Sequence, residues 1–271
     1  MTRSHDTISF LSDYGSADEF VGVVKSVIRT LAPHAAVIDI THEVPAHDVR
    51  AGALTLARSV QYLAPGVVLA VVDPGVGTAR RAIAVEVGEG GEAVLIGPDN
   101  GLLAPAVAFT GGAGRAVELR NERYQLPAPG PTFAGRDVFA PAAAHICNGV
   151  DIGELGPEID PLTLLPGVMP LSEWEGDALR SEVLWVDRFG NVQLNVDPDE
   201  LARFDGDAVA IRCGGSTRTA RRAAAFADLG AGELGVIVDS YGLIALVSDR
   251  RSAADELGIG PGDSVTLASP A

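Results

Sequence analysis

The sequence predicts an α/β fold: an N-terminal α/β domain with a largely parallel central sheet, followed by a smaller C-terminal all-β, barrel-like domain. Three observations predict it. Strand-like and helix-like apolar runs alternate from residue 8 to about 165; Val67 to Val72 is an unbroken run of the kind buried on both faces of a parallel sheet; and after the Pro- and Gly-containing stretch Pro157 to Pro170 short β-like runs dominate. With 271 residues and 47% hydrophobic side chains the chain can fill two cores, and the division expected is 1–170 and 171–271.

Taken in order, Ile8 to Leu11 reads as a strand. Asp18 to Leu31 reads as a helix, because Phe20, Val24, Val27, Ile28 and Leu31 fall at three- and four-residue steps, with Ser16 or Asp18 as cap. Val37 to Ile40 is a strand, Ala46 to Leu63 a helix and Val67 to Val72 a strand, which is βαβ patterning. Ile83 to Val87 and Ala93 to Ile96 are further strands, and Asp137 to Asn148 is a helix closed by Gly149. In the second part the strands are Glu182 to Val186, Val192 to Val196, Ala208 to Arg212, Leu234 to Val238, Leu243 to Val247 and Ser264 to Leu267. One Ala/Arg-rich piece, Arg221 to Ala227, reads as helical.

A net charge of −16 argues against nucleic acid as a partner, since phosphate binding needs a basic face and the Lys and Arg residues do not cluster beyond Arg221-Arg222 and Arg250-Arg251. A cationic ligand suits the chain better. The polar start Met1 to Asp6 does not resemble a signal peptide and no run approaches bilayer length, so no membrane partner and a cytoplasmic location are expected. Two cysteines, Cys147 and Cys213, fit a reducing compartment as core thiols. The five histidines, His5, His34, His42, His47 and His145, lack the spacing of a zinc site, so no metal is expected.

The segment Asp73-Pro-Gly-Val-Gly-Thr-Ala-Arg80 puts a carboxylate where a buried strand ends, with glycines that let backbone approach a ligand and an arginine able to turn back on Asp73. A plain strand exit with a surface ion pair is the competing reading. Ser12 to Asp18 joins the first strand to the first helix; Asp13 and Asp18 repel phosphate but accept hydrogen bonds from ribose hydroxyls or an ammonium group. Gly97 to Gly101 reads as a tight turn. Phe133-Ala-Gly-Arg-Asp137 places Gly135 at a helix start with its backbone accessible. Asp187-Arg-Phe-Gly-Asn191 offers a carboxylate, an aromatic face and an amide, which suit an adenine ring, or else forms only a hairpin turn. No phosphate loop, dinucleotide fingerprint, nucleophile elbow or Ser-His-Asp arrangement is present in the sequence pattern, so a bound water is the expected nucleophile.

Together, Ser12 to Gly15, Ile40-Thr-His42, Val72 to Thr78, Gly97 to Gly101, Thr132 to Asp137 and Phe189-Gly-Asn191 resemble, from about Ile8 to the C-terminus, the adenosine-forming S-adenosylmethionine hydrolases. These SAM hydroxide adenosyltransferases are relatives of the fluorinase and chlorinase. The resemblance implies an α/β domain with a β-barrel, no cofactor beyond the substrate S-adenosyl-L-methionine, adenosine and L-methionine as products, and a homotrimer with sites at subunit interfaces. It implies that Asp73 and Arg80 orient the nucleophile and that Asp13 binds ribose. Asp18, Ser240 and Tyr241 would bind methionine, and Asp187, Phe189, Asn191, Arg251, Ser252 and Ala253 adenine. His47, Phe133 and Gly135, with Phe20, would line the pocket at the reacting carbon. One departure stands out: these hydrolases resemble Thr-Phe-His-Gly-Arg-Asp at the helix entrance, with the histidine as third catalytic group, and this chain has Ala134 there. A halide-using relative and a non-catalytic SAM or adenosine binder are the alternatives.

Overall fold

The computed structural model describes residues 5–88 and 91–270. Residues 1–4 of the polar start, 89–90 and 271 lie outside the described residues. The chain divides into two compact units, the first ending at Val168 and the second beginning at Met169.

The first unit runs β1 (Thr7–Ser12), α1 (Phe20–Leu31), β2 (Ala36–Thr41), α2 (Val49–Val60), β3 (Val67–Val71), β4 (Ala82–Val87), β5 (Ala93–Pro98), α3 (Ala104–Phe109), β6 (Ala113–Glu118), α4 (Ala140–Cys147) and β7 (Glu158–Ile159). Its seven strands form one sheet in the order β2-β1-β3-β5-β4-β6-β7. The half β2-β1-β3-β5 is parallel, and β4, β6 and β7 add to it antiparallel. The change of direction follows from chain length: residues 88–92 between β4 and β5 suffice for a hairpin and are too few for a parallel crossover.

Strand β3 is buried at every residue because both sheet faces are covered. Val67, Leu69 and Val71 share one core with Val24 and Ile28 of α1 and the alanines of α4. Val68, Ala70 and Val72 share the other with Leu56 and Val60 of α2 and Leu102. The period of two along a strand thus feeds two separate cores.

Helix α1 departs from expectation at its start. Neither Ser16 nor Asp18 caps it; Glu19 occupies the cap position without a side-chain hydrogen bond, and residues 16–19 are an exposed bend. What fixes this end is aromatic packing, the Phe20 ring lying 5.6 Å from Tyr14 and 5.0 Å from Phe133. Helix α2 is capped by Asp48, whose carboxylate accepts the Ala51 N–H at 2.8 Å. The helix expected from Asp137 opens instead with one wide π turn over Gly135–Phe139 before α4, and Gly149 follows at φ +85°.

The second unit runs β8 (Glu173–Glu175), β9 (Ala178–Val186), β10 (Val192–Leu194), α5 (Pro198–Leu201), β11 (Ala208–Cys213), β12 (Ser216–Arg222), β13 (Leu234–Val238), β14 (Ile244–Ser248), α6 (Ala253–Leu257) and β15 (Ser264–Ala268). Seven strands close in the order β10-β14-β13-β12-β11-β15-β9, with β9 pairing back to β10 and β8 appended to β9. Leu179, Val183, Val192, Leu194, Val209, Ile211, Val236, Leu246 and Val265 fill the closed barrel. The Ala/Arg-rich piece is not a helix. Arg221 and Arg222 are the last residues of β12, Arg221 standing opposite Ala208, and a short 3₁₀ turn at Phe226–Asp228 follows. Strand pairing overrides the helical propensity of alanine and arginine there.

Cys147 and Cys213 are buried, and burial pushes the Cys147 thiol up to about 12. No described helix is long and apolar enough to cross a membrane.

Gly97 in β5 lies so close to β3 that a Cβ would stand 2.3 Å from the Ala70 carbonyl oxygen. Gly97→Ala is therefore expected to cost about 1–3 kcal/mol of unfolding free energy, read from the urea midpoint.

Candidate active site

The carboxyl ends of three neighbouring parallel strands supply the first group of site residues. The chain leaves β1 at Asp13, passes His47 after β2 and reaches Asp73 after β3. They border a cleft of about 230 Å³ completed by Tyr14, Phe20, Ala46, Val76 and the segment Thr132 to Gly135. This is where an open α/β sheet holds its ligand.

Asp73 and Arg80 meet because the intervening chain folds into consecutive turns. Val76 N–H donates to the Asp73 carbonyl at 3.2 Å, Thr78 N–H to the Gly75 carbonyl at 3.2 Å, and Gly77 takes φ +77°. Arg80 Nε then donates to Asp73 Oδ1 at 2.8 Å and Arg80 Nη2 to Oδ2, a two-pronged pair. The Asp73 side chain is 6% exposed and that of Arg80 15%, so the pair is largely withdrawn from solvent and does not lie open on the surface. The guanidinium also lies 5.2 Å above the Phe139 ring. Asn100, in the turn expected at 97–101, donates its amide to the Val72 carbonyl at 2.9 Å and ties that turn to the end of β3.

Asp13 is held as firmly. Its N–H donates to the Val71 carbonyl at 3.3 Å, and its Oδ2 accepts the His47 N–H at 2.8 Å. To make that bond His47 takes φ +67°, a left-handed backbone that L-residues adopt at a cost of order 1–3 kcal/mol. Phe133 stands edge-on to Phe20 and carries the Arg136 guanidinium 5.1 Å from its ring centre.

Two expected residues sit differently. Gly135 lines the cleft but is buried, not accessible: a Cβ there would be 2.1 Å from the Tyr14 hydroxyl, so the phenol occupies the space a side chain would need. Asp18 lies in the exposed bend before α1 and does not line the cleft.

In the second unit Asp187 to Asn191 is the β9–β10 hairpin turn. Asp187 Oδ1 accepts the N–H groups of Phe189 (2.8 Å) and Asn191 (2.9 Å), and Oδ2 accepts the Asn191 side-chain amide at 2.7 Å. The turn leaves Phe189 76% exposed. Gly190 takes φ +81° and packs on Ser252, where a Cβ would come within 2.2 Å of Oγ, while its carbonyl accepts the Ala254 N–H. The structure therefore brings Asp187, Phe189 and Asn191 beside Ser252 and Ala253, with Ser252 capping α6 through the Asp255 N–H. Arg251 precedes this cap, its Nη1 3.8 Å from Glu256. Ser240 and Tyr241 form the β13–β14 turn, in which Asp239 accepts the Tyr241 N–H and also the Gln193 amide.

Two family models match this chain: the SAM hydroxide adenosyltransferase N-terminal domain over residues 8–156 and the C-terminal domain over 181–266. The chain belongs to the SAM hydroxide adenosyltransferase family. It is 46% identical to the (R)-S-adenosyl-L-methionine hydrolase of Salinispora tropica over 260 residues, 96% of this chain and 97% of that one. The protein of the same name from Thermus thermophilus is 41% identical over 96% of this chain and 98% of its own. A crystal structure of an uncharacterized conserved protein from Thermotoga maritima superposes with a TM-score of 0.89 at 35% identity, covering 96% of this chain and 99% of that one. Fluorinases are more distant, that of an Actinoplanes species being 26% identical over 96% of both chains.

The sequence reading missed Tyr14, Thr132, Val76 and Ala46 as cleft residues. Tyr14 and Thr132 stand within motifs already singled out, whereas Val76 and Ala46 carry no chemical signal. His145, half-buried on α4, stacks edge-on against Tyr124 at 5.0 Å, and burial lowers its pKa. Among the described residues no cluster of three or more His, Cys, Asp or Glu could hold a metal ion.

Removing Arg80 strands a buried carboxylate, whereas Arg115 pairs Glu86 and Asp151 at the surface. Arg80→Ala is expected to cost about 3–5 kcal/mol in urea unfolding at pH 7 and Arg115→Ala about 1 kcal/mol or less.

Proposed function

We propose that this protein is an enzyme that hydrolyses S-adenosyl-L-methionine to adenosine and L-methionine by in-line attack of water on ribose C5′. The observation that carries the reading is the buried, two-pronged Asp73–Arg80 pair at the end of β3, in a chain of this family. The water oxygen forms the new bond to C5′ while the C5′–S bond breaks and its electron pair stays on sulfur. The sulfonium thereby leaves as a neutral thioether and needs no general acid. Asp73 accepts a hydrogen bond from the water and takes its proton once the oxygen has become positively charged by bonding to carbon. Arg80 keeps the carboxylate in one orientation, and such positioning can supply on the order of 7–11 kcal/mol of a barrier. The balance closes with no cofactor.

Asp13, its Oδ2 engaged by His47, accepts the ribose hydroxyls; Phe20, His47, Phe133 and Gly135 surround the reacting carbon. Asp18, Ser240 and Tyr241 bind the methionine part, and Asp187, Phe189, Asn191, Arg251, Ser252 and Ala253 the adenine. The working form is a cytoplasmic homotrimer with sites between subunits. Asp73 opposes a halide in the water position, because two like charges 4 Å apart repel by about 4 kcal/mol at an effective dielectric of 20.

Purified protein incubated with S-adenosylmethionine in ¹⁸O-water is expected to release adenosine carrying one ¹⁸O at its 5′ oxygen. Asp73→Asn should slow release on the order of 10²- to 10⁴-fold, and Ala134→His should accelerate it. Formation of 5′-chloro-5′-deoxyadenosine when chloride is added would overturn the water assignment, and binding without turnover, even with Ala134→His, would favour a binding protein. Sedimentation should give three chains of 27.9 kDa; a monomer would remove the trimer.

A further inference from the structure

The Tyr14 hydroxyl is a polar group of the cleft that the mechanism above leaves unused. Its ring is held by aromatic contacts, edge-on to Phe10 at 6.5 Å and Phe133 at 5.8 Å and tilted against Phe20 at 5.6 Å. Its oxygen presses on Gly135, the neighbour of Ala134, in the wall of the cleft that also holds Asp13 and Asp73.

The backbone of Tyr14 is fixed by a polar chain that absorbs another unexplained motif, Ile40-Thr-His42. Lys25 Nζ donates to Asp39 Oδ2 at 2.6 Å, and Asp39 Oδ1 stands 3.1 Å from His42 Nε2. His42 Nδ1 is 2.8 Å from Ser12 Oγ, which accepts the Tyr14 N–H at 3.3 Å. The His42 carbonyl accepts the Gly15 N–H at 2.7 Å. Burial pushes the Asp39 carboxyl up, but hydrogen bonds from Lys25 and His42 outweigh it and hold Asp39 charged. With a charged Asp39 facing Nε2, the tautomer that carries its proton there lets Nδ1 accept from the Ser12 hydroxyl and leaves a lone pair of Ser12 for the Tyr14 amide.

We infer that Tyr14 Oη accepts the second hydrogen of the attacking water, Asp73 holding the first, so that the free lone pair of the oxygen points at C5′. This rests on the hydrolase reading. The phenol stays protonated throughout: burial, then the charges of Asp13 and Asp73, drive its pKa well above the usual phenol value against the opposing effect of Arg80. Tyr14 therefore orients and does not remove a proton, which ends on Asp73. Ala134 offers no polar atom for this task, and the hydroxyl lies on the adjacent residue.

Tyr14→Phe removes one oxygen and keeps every aromatic contact. The expected result is a fall in kcat for adenosine release on the order of 10²-fold. KM should change by no more than about threefold, and thermal stability should be unchanged. Adding Ala134→His to Tyr14→Phe should recover turnover by returning a polar group to the same wall. A kcat within about twofold of wild type in Tyr14→Phe, or a loss confined to KM, overturns the role of Tyr14 while leaving the hydrolase reading intact. Absence of adenosine release from wild type and from Ala134→His overturns the hydrolase reading and, with it, this one.

Discussion

A carboxylate placed at the end of a strand buried on both faces needs a counter-ion, and the pairing of Asp73 with Arg80 is the constraint around which the first unit is arranged. Hydrophobic residues alternate along β3 into two cores, so a shift of register by one residue would drive each set into the core packed for the other. Its end is therefore a fixed point. Seven residues later Arg80 returns through turns that require Gly77 at positive φ, and Phe139 receives the guanidinium from the far side. A pair desolvated to this degree contributes little net stability, since the Coulombic gain offsets the cost of leaving water. What it supplies is a single orientation of two carboxylate oxygens, which suits a group that must hold a small nucleophile.

The same logic extends sideways across the sheet. Asp13 lies at the end of the strand beside β3, and its orientation is obtained by strain: His47 gives up a favourable backbone conformation so that its N–H faces the carboxylate. Strain of this kind persists where the surroundings over-determine it. Here the surroundings are the Asp48 cap of α2, one residue away, and the β1–β3 pairing on which Asp13 stands. Two carboxylates are thus presented from adjacent strands, one fixed by a guanidinium and one by a backbone amide.

Much of this was readable before any coordinates. The Val67 to Val72 run carries its own burial, and the glycines between Asp73 and Arg80 signal a return; Asp187 and Asn191 at a spacing of four announce a turn. What the pattern did not carry was long-range. Arg221 and Arg222 look helical in isolation and become strand because β11 and β13 lie beside them. The antiparallel half of the first sheet depends on which strands β4 joins, and local periodicity is silent on that. Asp18 has the composition of a cap, yet the helix is held at that end by rings. Gly135 read as open backbone, while its reason for being glycine is a tyrosine more than a hundred residues away in sequence. Tyr14 was overlooked for the same reason: a phenol beside an aspartate has no meaning until the fold sets it against residue 135.

The charge arrangement also bears on what such a cleft binds and releases. Asp73 is neutralised locally by Arg80, whereas the partner of Asp13 Oδ2 is an uncharged amide, so the lining keeps negative character. A sulfonium nucleoside brings a positive charge one bond from the carbon to be attacked, and that charge is attracted to such a lining. The proposed reaction destroys it: the sulfur becomes a neutral thioether and the nucleoside an uncharged alcohol. Attraction that helps the substrate enter is absent for the products, which favours their departure. The negative character that Asp13 leaves in the lining thus favours a cationic substrate over uncharged products.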